Sequence, residues 1–252
     1  MRISLCTTCM GRLPHLRETL PANLSANEDY PTLEIVVLDY NSQDGLEKWM
    51  ALEMRHWVES GRLAYYRERT AQFFNPSHAK NVAHLLATGD VVVNVDADNF
   101  TGPGYAAKLA EMFGQGTRIF VTTDTESERE RFGSLTGLAG RIAFRATDFR
   151  ALRGYDEAFV GWGWEDPDIA RRARGSGLNQ TLLVNLGERA IRHSSEERVR
   201  NCDMRGRTRS ETSSMNEGRS KSRPAGEMMN PVGYGKAFVY RNFTAERQEV
   251  GA

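Results

Sequence analysis

An α/β fold with an open, mostly parallel sheet and helices on its faces is predicted from three observations. Strand-like and helix-like segments alternate through residues 1–100. Two β-rich runs, LEIVVLDYNSQDG (33–45) and DVVVNVDADN (90–99), end in acidic residues and turn formers. The 252 residues, 40% hydrophobic and 26% charged, suit one large α/β domain better than two small ones.

In chain order, ISLCT (3–7) reads as a short buried strand. HLRETLPANL (15–24) has helical spacing, with Pro21 marking a bend or an end. The run at 33–45 is a strand followed by a loop, and LEKWMALEMRHWVESG (46–61) is a helix closed by Gly61. RLAYYRE (62–68) is a strand, and SHAKNVAHLLATG (77–89) is a helix with Ser77 as its N-cap and Gly89 beyond its end. DVVVNVDADN is the next strand. In the second half, GYAAKLAEMFGQG (104–116) and DPDIARRARGSG (166–177) read as helices, and RIFVTTD (118–124) and GRIAFRA (140–146) as strands. ERAIRHSS (188–195) ends a strand, and FVYRN (238–242) is a last one. Residues 196–231 are rich in Ser, Arg, Gly and Met with little apolar periodicity, so a flexible segment or a lid is expected there.

The 33 basic residues balance the 33 acidic ones, which gives no electrostatic case for nucleic acid or an anionic membrane as main partner. No apolar run is long enough to span a bilayer, so no stable membrane insertion is expected. MRISLCTTCMGRLPHL lacks the pattern of a signal peptide, and three cysteines do not make a disulfide framework. A cytoplasmic protein is expected. Cys6 and Cys9 form a CxxC, but no second ligand pair or helix start accompanies them.

In open sheets of this kind, ligands bind beyond the carboxyl ends of the strands. Asp39, Asp96 and Asp98 are expected at such ends. The DAD of 96–98 offers two carboxylates that can turn toward one point, as a divalent cation on a diphosphate requires. A solvated turn would carry the same residues. His193, in IRHSS, would add an imidazole, a donor that suits manganese better than calcium. GWGWEDPD (161–168) combines indole faces suited to a sugar ring, glycines that permit close approach, and Asp166 at a helix start. A general base must be ionised and within reach of a hydroxyl, and a helix N-terminus favours the ionised form of Asp166. An ordinary helix start with packed indoles would also use these residues.

Taken in order, these segments resemble the nucleotide-sugar-dependent glycosyltransferases of the GT-A fold, over roughly residues 2–195. The second half is most similar to β1,4-galactosyltransferases and related family-two enzymes. GRLPHL, LDYNSQDG and FNPSHAKNV resemble the nucleotide-contacting segments, VDADN the metal-binding D-x-D, GYDEAFVGWGWEDPDIARRARGSG the acceptor and catalytic segment, and IRHSS the segment giving the third metal ligand. The resemblance implies a single Rossmann-like domain over 1–195, with a nucleotide-sugar half (1–100) and an acceptor half (101–195), then segment 196–231 and a C-terminal extension (232–252).

It also implies roles. Asp98 and His193 would hold Mn2+, with Mg2+ as the alternative. Thr8, Arg12, Asp39, Lys80 and Asp96 would contact the donor. Trp162, Trp164 and Glu165 would shape the acceptor site, and Asp166 would be the base of an inverting hexosyl transfer, from a UDP-sugar foremost. The acceptor would be a glycan, a natural product, a protein or a modified nucleic acid. A retaining enzyme of the same fold and a non-catalytic carbohydrate- or nucleotide-binding module are the alternatives. Lys80 stands where many family-two members have Arg. Trp164 replaces a small residue, so acceptor identity does not carry over. Pro167 replaces an acidic residue and firms the helix start.

Overall fold

The computed structural model describes residues 1–116, 118–124, 137–184, 189–224 and 227–252. Parallel strands β1 (Ile3–Cys9), β2 (Leu33–Tyr40), β3 (Leu63–Glu68) and β4 (Val91–Asn94) form the centre of the sheet. Helices α1 (Leu13–Ala26), α2 (Leu46–Glu53), α3 (Arg55–Glu59) and α4 (Pro76–Leu86) connect them. Every residue of β1, β2 and β4 is buried, as expected of parallel strands covered on both faces. Their side chains alternate between two cores: Ile3, Leu5, Ile35 and Val37 enter one, Cys6, Val36, Leu38 and Val92 the other.

Residues 101–195 extend this sheet. After the short β5 (Asn99–Phe100) and α5 (Tyr105–Gly114) come β6 (Ile119–Thr123), β7 (Ile142–Arg145), α6 (Ala146–Ala151), α7 (Glu165–Gly175), β8 (Asn179–Leu183) and β9 (Arg189–Ala190). The chain ends with α8 (Ser195–Val199), α9 (Arg209–Lys221), β10 (Ala237–Arg241) and β11 (Arg247–Val250). The nine-stranded order is β11-β10-β3-β2-β1-β4-β7-β6-β8. The C-terminal extension adds an antiparallel hairpin to the β3 edge, of which only the first strand was expected. A separate pair, β5 with β9, joins Asn99 to Ala190 and Phe100 to Arg189. Glu188, the first residue of the segment expected to end a strand, lies outside the described residues.

Three local expectations are corrected. Pro21 does not end α1, which runs through it with Leu20, Asn23 and Leu24 buried around it. Asn23 ties the helix to the Asn99 carbonyl and the Thr101 amide. The N-cap of α4 is Asn75, whose side chain accepts from the His78 amide, with Pro76 opening the helix. The helix expected over 46–61 is divided at Met54 into α2 and α3. Cys6 and Cys9 sit in opposite cores with thiol pKa values raised by burial, so they share no ligand.

Residues 196–231 contain two helices, each opened by a capping box: Ser194 with Glu197, and Thr208 with Glu211. Helix α9 lacks apolar periodicity because its buried stripe is polar. Thr212, Asn216 and Ser220 recur every four residues, and all are buried. Thr212 Oγ1 donates to the Trp162 carbonyl at 3.1 Å. Asn216 bonds the Val160 amide and the carbonyls of Val160 and Gly163, and Ser220 Oγ donates to Asp168 at 2.6 Å. Ion pairs from Arg219 and Arg223 to Asp156 hold the end of the helix.

The glycines of GWGW admit this helix. A Cβ on Gly161 would lie 2.8 Å from Thr212 Cγ2, and one on Gly163 would lie 3.0 Å from Ser213 Oγ. Both residues have positive φ. Gly161→Ala is expected to cost about 1–3 kcal/mol. Urea unfolding would measure the loss, and proteolysis within 200–208 would accelerate.

Candidate active site

A cavity of about 660 Å³ opens beyond the carboxyl ends of β1 and β4. Thr8, Arg12, Lys80, Asp96, Asp98, Trp162, Trp164, Glu165, Asp166 and His193 all line it. Asp39 does not. It is fully buried at the end of β2, accepting from Tyr65 Oη and the Ser42 amide, each at 2.7 Å. Burial raises its pKa, and those hydrogen bonds oppose the rise.

Two charged clusters form the floor. In the first, Lys80 Nζ reaches Asp166 Oδ1 at 2.7 Å and Glu165 Oε1 at 3.1 Å. Helix α4 supplies the lysine and the first turn of α7 supplies both acids. Asp96 adds a third carboxylate to the field of this one ammonium, while accepting from Asn94 Nδ2 at 3.0 Å. Burial pushes the Asp166 pKa up to about 7; Glu165 and Asp96 add to the rise and Lys80 opposes it. Lys80, expected among the nucleotide contacts, thus points its charge at Glu165 and Asp166.

Gly140 separates Asp96 from Asp166. A Cβ there would lie 2.8 Å from Asp96 Oδ2 and 2.9 Å from Asp166 Oδ2, so a bare Cα lets the two carboxylates flank one point.

The second cluster is assembled by β5 and β9. The Ile191 amide donates to the Asp98 carbonyl at 2.8 Å, which brings His193 Nε2 to 2.6 Å from Asp98 Oδ2. Burial alone would raise the Asp98 pKa, but the hydrogen bond and charge of His193 hold it below the ordinary value. His15 stands beside His193, ring centroids 5.5 Å apart. Among the described residues, no three His, Cys, Asp or Glu side chains form a cation site. Asp98 and His193 could give a cation one oxygen and one imidazole donor.

The indoles are not bare. Arg209 lies 4.1 Å over the Trp162 ring, and Lys221 lies 5.4 Å from the Trp164 centroid. Arg198, Arg209 and Ser213 complete the wall carried by α8 and α9. None of these was singled out from sequence, although the two capping boxes mark the helices that carry them.

Residues 117–196 match a family model described as the N-terminal domain of galactosyltransferase. That stretch runs from the start of β6 through GWGWEDPD to just past His193. No curated protein matches the chain. Among solved structures, it is similar to the mannosyltransferase PcManGT from Pyrobaculum calidifontis in complex with GDP-Man and Mn2+ (TM-score 0.58, 23% identity, 73% of this chain and 55% of that one). It is also similar to S. aureus TarS 1-349 in complex with UDP-GlcNAc (TM-score 0.57, 15% identity, 73% and 56%). For TarS 1-349 alone the values are TM-score 0.59, 16% identity, 78% and 61%. The fold is that of GT-A glycosyltransferases, in a single domain. The chain covers 55–61% of the length of these structures. Among the described residues, no helix is long and apolar enough to cross a membrane.

Proposed function

We propose that the chain is a metal-dependent, inverting glycosyltransferase that moves a hexose from a nucleotide sugar, foremost a UDP-sugar, to an acceptor hydroxyl. One observation carries the reading: a buried carboxylate with its pKa near neutrality shares a cavity with the Asp98–His193 pair at the nucleotide end of the sheet. The galactosyltransferase model over 117–196 supports a galactosyltransferase-like acceptor half. The nucleotide sugars held by PcManGT and TarS support the donor class, and Mn2+ in the former supports the ion.

Asp166 accepts the proton of the acceptor hydroxyl. The freed oxygen forms a bond to the anomeric carbon as the bond from that carbon to the diphosphate oxygen breaks, and its electron pair leaves with the nucleoside diphosphate. Lys80 holds Asp166 and Glu165 in place and keeps part of their charge compensated. Thr8, Arg12 and Asp96 serve the donor, and Trp162, Trp164 and Glu165 shape the acceptor site. Asp98 and His193 would hold the ion, which when bound would neutralise charge on the departing diphosphate. Asp39 acts from behind the cavity wall, by ordering the Ser42 loop. The free, buried cysteines support a cytoplasmic setting.

The test is nucleoside diphosphate release from UDP-, GDP- and dTDP-sugars, with Mn2+ and with chelator. Metal-dependent release from one donor, abolished in Asp98→Ala, is expected. Metal-dependent binding of UDP without release would leave a binding module. Retention of anomeric configuration in the product would remove the inverting mechanism.

A further inference from the structure

Four arginines on and beside α7 and α9 pair with carboxylates, and two that line the cavity do not. Arg171 and Arg172 are paired with Asp168, and Arg219 and Arg223 with Asp156. Arg198 and Arg209 are half-buried, line the cavity, and have no carboxylate partner among the described residues. The nearest acids in sequence are engaged elsewhere: Glu197 caps α8 and Glu211 caps α9. Among the described residues the Arg209 side chain donates to Ser195 Oγ alone, at 2.9 Å, and rests on the Trp162 ring. Burial, and then the neighbouring charge of Arg198, lower the Arg209 pKa. Two guanidiniums converging on a partly desolvated cavity are costly unless an anion joins them. The planar, multiply donating guanidinium is the side chain best matched to phosphate oxygens.

We propose that Arg198 and Arg209 form a phosphate site on the α8–α9 wall of the cavity. The phosphate is either the diphosphate of the donor or a phosphate on the acceptor, and this choice rests on the function proposed above. The site itself does not, because phosphate alone reads it.

The experiment titrates the full chain with inorganic pyrophosphate, glucose 6-phosphate, UDP and uncharged uridine, each with and without Mn2+. Calorimetry reads affinity, and indole fluorescence follows the Arg209–Trp162 contact. An Arg198→Gln, Arg209→Gln double variant is expected to bind pyrophosphate about 10- to 100-fold more weakly while uridine is unaffected. An equal fall for UDP assigns the site to the donor. Unchanged UDP with weakened pyrophosphate and glucose 6-phosphate assigns it to a phosphorylated acceptor. Unchanged pyrophosphate affinity in the double variant, or no pyrophosphate binding by the wild type, overturns the proposal. Arg198→Gln alone keeps the test available if the double variant melts early, because the Arg198 side chain makes no hydrogen bond or ion pair among the described residues. A chain that releases nucleoside diphosphate from no sugar donor would overturn the glycosyltransferase reading and leave this result standing.

Discussion

Asp166→Asn is expected to cut turnover by about 10²- to 10⁴-fold while leaving donor affinity near the wild-type value. The amide keeps the shape of the carboxylate and a hydrogen-bonding oxygen for Lys80, so the fold and the donor pocket have little to lose. What it lacks is a proton-accepting oxygen of suitable basicity. The pH profile carries the same information. With a pKa of about 7, Asp166 is protonated on the acid side of neutrality and cannot serve as base there. The value of kcat/KM should therefore rise through about pH 7 with slope near one, and flatten above it. Single-turnover chemistry combined with nucleotide titration separates the two effects. Turnover within about threefold of wild type would remove Asp166 from the base role.

Much of this arrangement was legible in the sequence because residues 1–100 follow simple rules. A β-branched run ending in carboxylates marks a buried parallel strand whose carboxyl end meets ligand, and β4 with Asp96 and Asp98 fits that pattern. The bond between Asp98 and His193 is set by strand pairing across 95 residues, which local spacing does not display. Helix α9 was missed for a different reason. Its buried face is built from Thr212, Asn216 and Ser220, and a search for apolar periodicity registers none of them. The capping boxes at Ser194 and Thr208 were its visible signs. Strand β8 was missed because NQTLL is largely exposed at the sheet edge. The glycines of GWGW were expected to make room for a ligand; they also let a polar helix lie against the backbone. Asp39 and Lys80 show that residue type and chain position do not fix direction. One carboxylate turns into the protein toward Tyr65, and one ammonium turns toward Glu165 and Asp166.

Lys80→Met tests how much of the site depends on that ammonium. The side chains of Lys80, Glu165 and Asp166 are 5%, 10% and 17% exposed, so their charges are poorly screened by water. Breaking a buried ion pair from one side costs about 3–5 kcal/mol, because the remaining charge keeps its desolvation penalty. Here Asp166, Glu165 and Asp96 would be left facing one another. The sign of the pH dependence follows. Lys80 lowers the Asp166 pKa, so its loss moves that pKa above about 7. A carboxyl whose folded-state pKa exceeds its unfolded value of 3.8 contributes stability at low pH and loses it as pH rises toward the folded pKa. In the variant this loss continues beyond neutrality. Its melting temperature should therefore fall further below wild type at pH 8 than at pH 6, and the rising limb of kcat/KM should move to higher pH. Lys80→Arg keeps the charge and should recover most of the stability, although the larger guanidinium cannot occupy the same position between α4 and α7. A methionine variant with wild-type melting and an unshifted activity profile would mean that Lys80 does not set the ionisation of Asp166.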